Sequence, residues 1–114
     1  MKAPGIRTAI PQRRYKLGDF SAVVLGDIES DDGVDYRYVF ALVRDGERAP
    51  GFYVLSSRAA ARSGDFVLRV LSESMDRELD VSGRWRDLDL FCDQAIALAR
   101  QALGLGDEQP WRLM

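Results

Sequence analysis

The sequence predicts an α+β domain: a four-stranded antiparallel meander, five-stranded if residues 77–81 add a further strand, packed by one C-terminal helix. Three observations predict it. Apolar residues alternate with a period of two through residues 15–72, and Asp-Gly and Pro-Gly pairs cut that alternation into short runs. A single apolar stripe of helical period then follows over residues 87–104. Connections this short join antiparallel neighbours.

The elements follow in order. Residues 1–14 carry Pro4, Gly5 and Pro11 among basic side chains and read as a flexible basic arm. Residues 15–28 alternate, with Phe20, Ala22, Val24 and Ile28 on one side and Ser21, Val23, Leu25 and Asp27 on the other. The polar cluster ending in Asp32-Gly33 is a hairpin connection. Residues 35–44 form the second strand, with Tyr36, Tyr38, Phe40 and Leu42 opposite Arg37, Val39, Ala41 and Val43. After the turn from Asp45-Gly46 to Pro50-Gly51, residues 52–56 make a short third strand, rich in aromatic and β-branched types. Residues 57–64 are a loop or a single helical turn, and residues 65–72 are the fourth strand.

Asp87 is suited to cap the helix, and Asp89 adds negative charge to its first turn. Leu88, Phe91, Cys92, Ala95, Ile96, Ala99 and Ala102 lie along its apolar stripe, and Gly104 stops it. The tail, residues 105–114, ends in Trp111, Leu113 and Met114, apolar enough that Trp111 or Leu113 is expected to dock. The whole chain reads as one domain, since 114 residues is close to the usual size of one.

Both faces of the predicted sheet are apolar. The face with Phe20, Val24, Phe40, Phe52, Val54, Phe66, Leu68 and Val70 is the natural seat for the helix. The opposite face offers Val23, Leu25, Val39, Ala41, Val43, Tyr53, Leu55, Val67 and Leu71, relieved mainly by Ser21, Arg37 and Arg69. A solvated antiparallel face alternates to polar residues, so this one needs a cover. One helix about 10 Å across shields little more than half of one face of roughly 400 Å². The cover could be a second copy, the N-terminal arm with Ile6 and Ile10, or the sheet itself if it curls far enough. The first is the expectation, a homodimer contacting through Val23, Val39, Val43, Tyr53 and Leu71 with Trp111 as an accessory.

Histidine is absent, which removes the usual general base near neutral pH and every Ser-His or Cys-His pair. Cys92 is the single cysteine and falls on the apolar stripe, so a buried inert thiol is expected and a cysteine-rich metal site is not. The acidic run from Asp27 to Asp35 fails the calcium-loop pattern, because Asp32 and Tyr38 stand where Gly and Glu are needed. No phosphate-binding, dinucleotide or nucleophile-elbow motif occurs. No cofactor or metal is therefore expected, and a carboxylate- and arginine-based enzyme is the least favoured reading.

The formal net charge of -2 disfavours a duplex-DNA binder. Five positive charges nevertheless fall before Asp19 with no acid among them. Arg58 and Arg62 on one side of a turn could hold an anion, and Arg37 and Arg69 around Tyr53 could serve single-stranded nucleic acid. The preferred expectation is a non-catalytic interaction or ligand-binding domain, with the nucleic-acid module as the alternative. Neither a secretory signal nor an apolar run of membrane-spanning length is visible, so the expected compartment is the cytoplasm.

Overall fold

The computed structural model of the chain describes residues 2–60 and 64–114. Its elements are β1 (Ile6–Leu17), β2 (Phe20–Ser30), β3 (Tyr36–Arg44), β4 (Phe52–Arg58), β5 (Phe66–Ser72), β6 (Met75–Ser82), a 3₁₀ turn (Gly83–Arg86), α1 (Leu88–Leu103) and β7 (Trp111–Arg112). The strands form one antiparallel sheet in the order β6-β5-β4-β3-β2-β1-β7. The α+β class and the meander hold, but the four- or five-stranded count does not: the sheet has seven strands.

The missed strands lie at the edges. β1 occupies residues 6–14, expected to be a flexible arm, and the first three residues of the strand expected over 15–28, which a turn at Gly18-Asp19 divides; it pairs with β2 from Ile6↔Ser30 to Leu17↔Phe20. It escapes an alternation test because β7 covers only its last residues, leaving most of one edge open to water. Arginines and Pro11 are well tolerated in such a strand. β6 is the opposite edge and extends the strand suspected at residues 77–81. β7 has two residues, too few for any periodic signal.

The first face is built as its alternation implies. Phe20, Val24, Tyr38, Phe40, Leu42, Phe52, Val54, Phe66, Leu68 and Val70 are all buried. Against them α1 sets Phe91, Cys92, Ala95, Ile96 and Ala99. The helix begins where Asp87 Oδ1 accepts from the Leu90 amide at 3.0 Å, and it ends at Gly104 in the left-handed conformation with φ 64°. Trp85, on the 3₁₀ turn, is buried beside the helix start; its indole N–H donates to Asp80 Oδ2 at 3.0 Å. The buried Ser56 hydroxyl donates to the Trp85 carbonyl at 2.7 Å, tying β4 to this turn.

The second face is closed by bending. β2 pairs with β3 only as far as Leu25↔Val39, yet β1 and β2 stay paired out to Ile6↔Ser30. Three register shifts interrupt that outer ribbon. At one of them Asp27 and Ile28 of β2 together face Ala9, and Asp27 takes φ 46°, the one positive φ outside glycine among the described residues. A bulge reverses the alternation beyond it. Ile28, expected beside Val24, therefore packs with Ile6 against the second face. A further shift at Arg37 separates Tyr36 from Tyr38, expected on one side; Tyr36 joins the second cluster and Tyr38 the first.

The ribbon tip leaves no room at Gly5. A Cβ built there would lie 2.4 Å from Asp31 Oδ1 and 2.9 Å from Asp32 Cβ. Gly5→Ala is expected to lower stability by about 1–2 kcal/mol through this crowding. Gly51→Ala, with nothing within 4 Å, should change it far less. Urea unfolding of the two variants beside the parent chain checks the contrast.

Candidate interaction surface

Residues directly opposite one another across strands share a face. One row on the second face therefore runs Arg14, Val23, Ala41, Tyr53, Leu71 and Asp76 across successive strands. A neighbouring row runs Trp111, Lys16, Ser21 and Val43. The expected interface residues thus do gather on one face, but under different degrees of cover. Val39 is 0% exposed, Tyr53 7% and Leu71 8%, inside a single chain. Val23 and Leu25 of β2 flank them, and Ile6 and Ile28 of the bent ribbon pack against the same cluster, so the ribbon, with Ile6 in it, meets the need that suggested a partner over the middle of the face. Ile10 contributes nothing there and is exposed.

A carboxylate fastens the ribbon. Asp32 Oδ2 accepts from the Gly5 amide at 2.8 Å and from the Tyr36 hydroxyl at 2.6 Å, while its Oδ1 accepts from the Val34 amide at 3.0 Å. Partial burial pushes the Asp32 pKa up, but the donors from Tyr36, Gly5 and Val34 outweigh it and hold the carboxyl below its ordinary value. Burial, then the bond to Asp32, pushes the Tyr36 hydroxyl up, keeping it protonated as the donor.

The end of the second face away from the ribbon tip stays open. Val23 and Val43 are half-buried, Ser21 and Arg14 are exposed, and Lys16 pairs with Asp45. Beside them β7 holds its backbone to β1, and the Leu113 amide donates to the Arg14 carbonyl at 2.8 Å. The tail is held through its main chain, and not by the apolar side chains expected to dock. The Trp111 indole is 74% exposed and Leu113 is 62% exposed. Large apolar side chains exposed together in this way are a mark of contact sites.

Arg37, Tyr53 and Arg69 are not brought together. Arg37 sits in its bulge, with Nε donating to the Arg86 carbonyl at 3.3 Å and its guanidinium 4.9 Å from the Tyr38 ring centre, on the helix side of the sheet. Arg69 binds Asp76 at 2.7 Å and lies 3.9 Å from Glu78. With Tyr53 buried between strands, these three offer no stacking platform. Arg58 ends β4 instead of joining a helical turn; it bonds Asp35 at 2.9 Å and lies over Phe66. Arg62 lies outside the described residues. Cys92 is fully buried, and burial pushes its thiol up. Among the described residues no group of three or more carboxylates and Cys is placed to hold a metal ion, and no helix is long and apolar enough to cross a membrane.

Comparison of the chain with protein-family models, with curated proteins and with solved structures finds no match.

The latch has a pH signature. A carboxyl whose folded pKa lies below its unfolded value, about 3.9, stabilises the fold at pH above that value. The contribution is lost as pH falls through the folded pKa. Tyr36→Phe is expected to cost about 1–2 kcal/mol at pH 7 by removing a charge-assisted hydrogen bond. The gap between parent and variant should narrow as pH drops below about 4. Denaturant unfolding at pH 7 and pH 3 measures both.

Proposed function

We propose that the protein is a non-catalytic interaction domain that pairs with a second copy of itself through the open end of the second sheet face. The observation that carries this reading is the Trp111 indole, 74% exposed on a strand whose backbone is fixed. A two-fold contact needs a patch that is complementary to itself. This patch holds both parts, a protruding Trp111 and Leu113 and, beyond β1 on β2 and β3, the low apolar surface of Val23 and Val43. A two-fold axis between the parts sets each indole on the valines of the other copy. Aromatic anchors of this kind dominate small interfaces.

The contact is expected to be weak, because the ribbon already covers Val39, Tyr53 and Leu71. The remaining patch is a few hundred Å², against roughly 800 Å² per partner in a standard interface. The proposed setting is the cytoplasm, where the lone Cys92 thiol needs no disulfide partner.

Single-stranded nucleic acid is the second reading, favoured by one observation: Trp111 stands beside Lys16 and close to exposed Arg14. The net charge of -2 and the Lys16–Asp45 pair weigh against it. Light scattering from about 1 to about 300 μM, spanning the range of weak interfaces, is expected to show mass rising toward a dimer. Trp111→Ala should remain monomeric throughout. A parent chain that stays monomeric at the top of the range overturns the proposal. Oligothymidine binding that is lost to Trp111→Ala and to added salt would support the second reading instead.

A further inference from the structure

The helix side of the sheet has its own uncovered strip. α1 packs on β3 and β4, and a helix about 10 Å wide spans only about two strands at about 4.8 Å spacing. The flank formed by β5 and β6 is left partly open, and two clefts follow from this. One, of about 370 Å³, lies between β5–β6 and the outer side of α1, with Val70, Leu79 and Leu98 as apolar walls. The other, of about 400 Å³, opens at the end of the sheet over Phe20, Leu42, Phe52 and Leu103. Met75 and Ala102 line both, so the clefts adjoin across these two side chains. Each falls in the size range of small-molecule sites, about 300–1,000 Å³.

The polar groups differ between the two ends. Arg77 and Gln101 line the first cleft, and both can donate. Arg77 is cross-strand partner to Val70, which places it on the helix side. Its neighbours Asp76 and Glu78 are engaged by Arg69. Among the described residues no carboxylate pairs with Arg77. At the far end Arg44 lies over the Phe20 ring and shares the cleft with Glu47 and Glu73, so that end has no excess of positive charge. The combined surface is cationic at one end and apolar along its middle and floor.

We propose that this groove binds an amphipathic monocarboxylate, a medium-chain fatty acid or a molecule of like shape. The carboxylate meets the Arg77 guanidinium, which matches it as a two-pronged donor, with the Gln101 amide beside it. The chain runs past Met75 and Ala102 toward Phe52 and Leu103. The site lies on the helix side of the sheet and is independent of the Trp111 surface.

Decanoate below its micelle-forming concentration is the probe, titrated into the full chain by calorimetry and by amide chemical-shift mapping. Saturable binding is expected, with shifts centred on Leu98, Gln101 and Ala102. Arg77→Ala should weaken it at least about ten-fold by removing the charge-assisted contact. Ala102→Trp, which fills the groove, should abolish it, with circular dichroism checking that both variants stay folded. Decanol and decyltrimethylammonium should bind at least about ten-fold more weakly than decanoate. Absence of saturable decanoate binding overturns the proposal. So does equal affinity for the cationic or neutral analogue, or an Arg77→Ala variant that binds as tightly as the parent.

Discussion

A sheet with two apolar faces requires two covers, and this chain has one helix to give. The bend of the β1–β2 ribbon resolves that, and the rest of the molecule follows from it. Where β2 leaves β3 after Leu25, Gly26 permits close approach, since a Cβ there would lie 2.9 Å from the Gln12 side chain. Asp27 supplies the left-handed turn and Asp32 fastens the far end. Complete burial of one aliphatic side chain is worth about 1.5–3 kcal/mol. The ribbon, covering Val39, Leu55 and Leu71, thus offsets far more than the strain of one non-glycine residue at positive φ.

The first face was legible in the sequence because its strands are regular there and its helix is bounded by Asp87 and Gly104. From Phe20 to Val24, Tyr38 to Leu42, Phe52 to Val54 and Phe66 to Val70 the residues expected there are buried where a period of two places them. The second face was legible as apolar but not as self-covered. Its cover depends on bulges, which leave no mark in composition and which reverse the alternation beyond them. Ile28 and Tyr36 were misplaced for that reason, and Arg37 was separated from Tyr53 by the same device. β1 was hidden by arginines that solvent and individual partners accommodate: Arg13 pairs with Asp89 and donates to Tyr15, and Lys16 pairs with Asp45. Of the candidate interface, Trp111 could be found from the apolar tail, whereas the Arg77 groove depends on which strands the helix leaves bare.

The two edges of the sheet bear on how the protein can associate. An open strand edge invites pairing with another chain unless charge, proline or bulges blunt it. Most of the length of β1 is an open edge, and it carries Arg7, Pro11 and Arg14 along with its three register shifts. β6 carries Asp76, Arg77, Glu78 and Asp80 and a register shift beside Leu79. Edge-to-edge extension is therefore disfavoured at both sides. The association proposed above accordingly uses side chains at the open end of the second face and no strand edge.

The outward direction of Trp111 follows from the register of β7 on β1. Arg112 is opposite Tyr15, on the face where α1 begins, and Trp111 is opposite Lys16. A one-residue slip of β7 would exchange the two faces. The hydrogen bond and charge of Arg13 hold the Asp89 carboxyl below its usual range, and Arg112 adds to the same effect. In the observed register a second cation thus approaches an acid in the first turn of α1, while Tyr15 already occupies the apolar space beside Cys92. The slipped register would bring the indole into that filled space and turn Arg112 away from Asp89. Favourable charge on the helix side and an exposed indole on the opposite side are two results of one strand register.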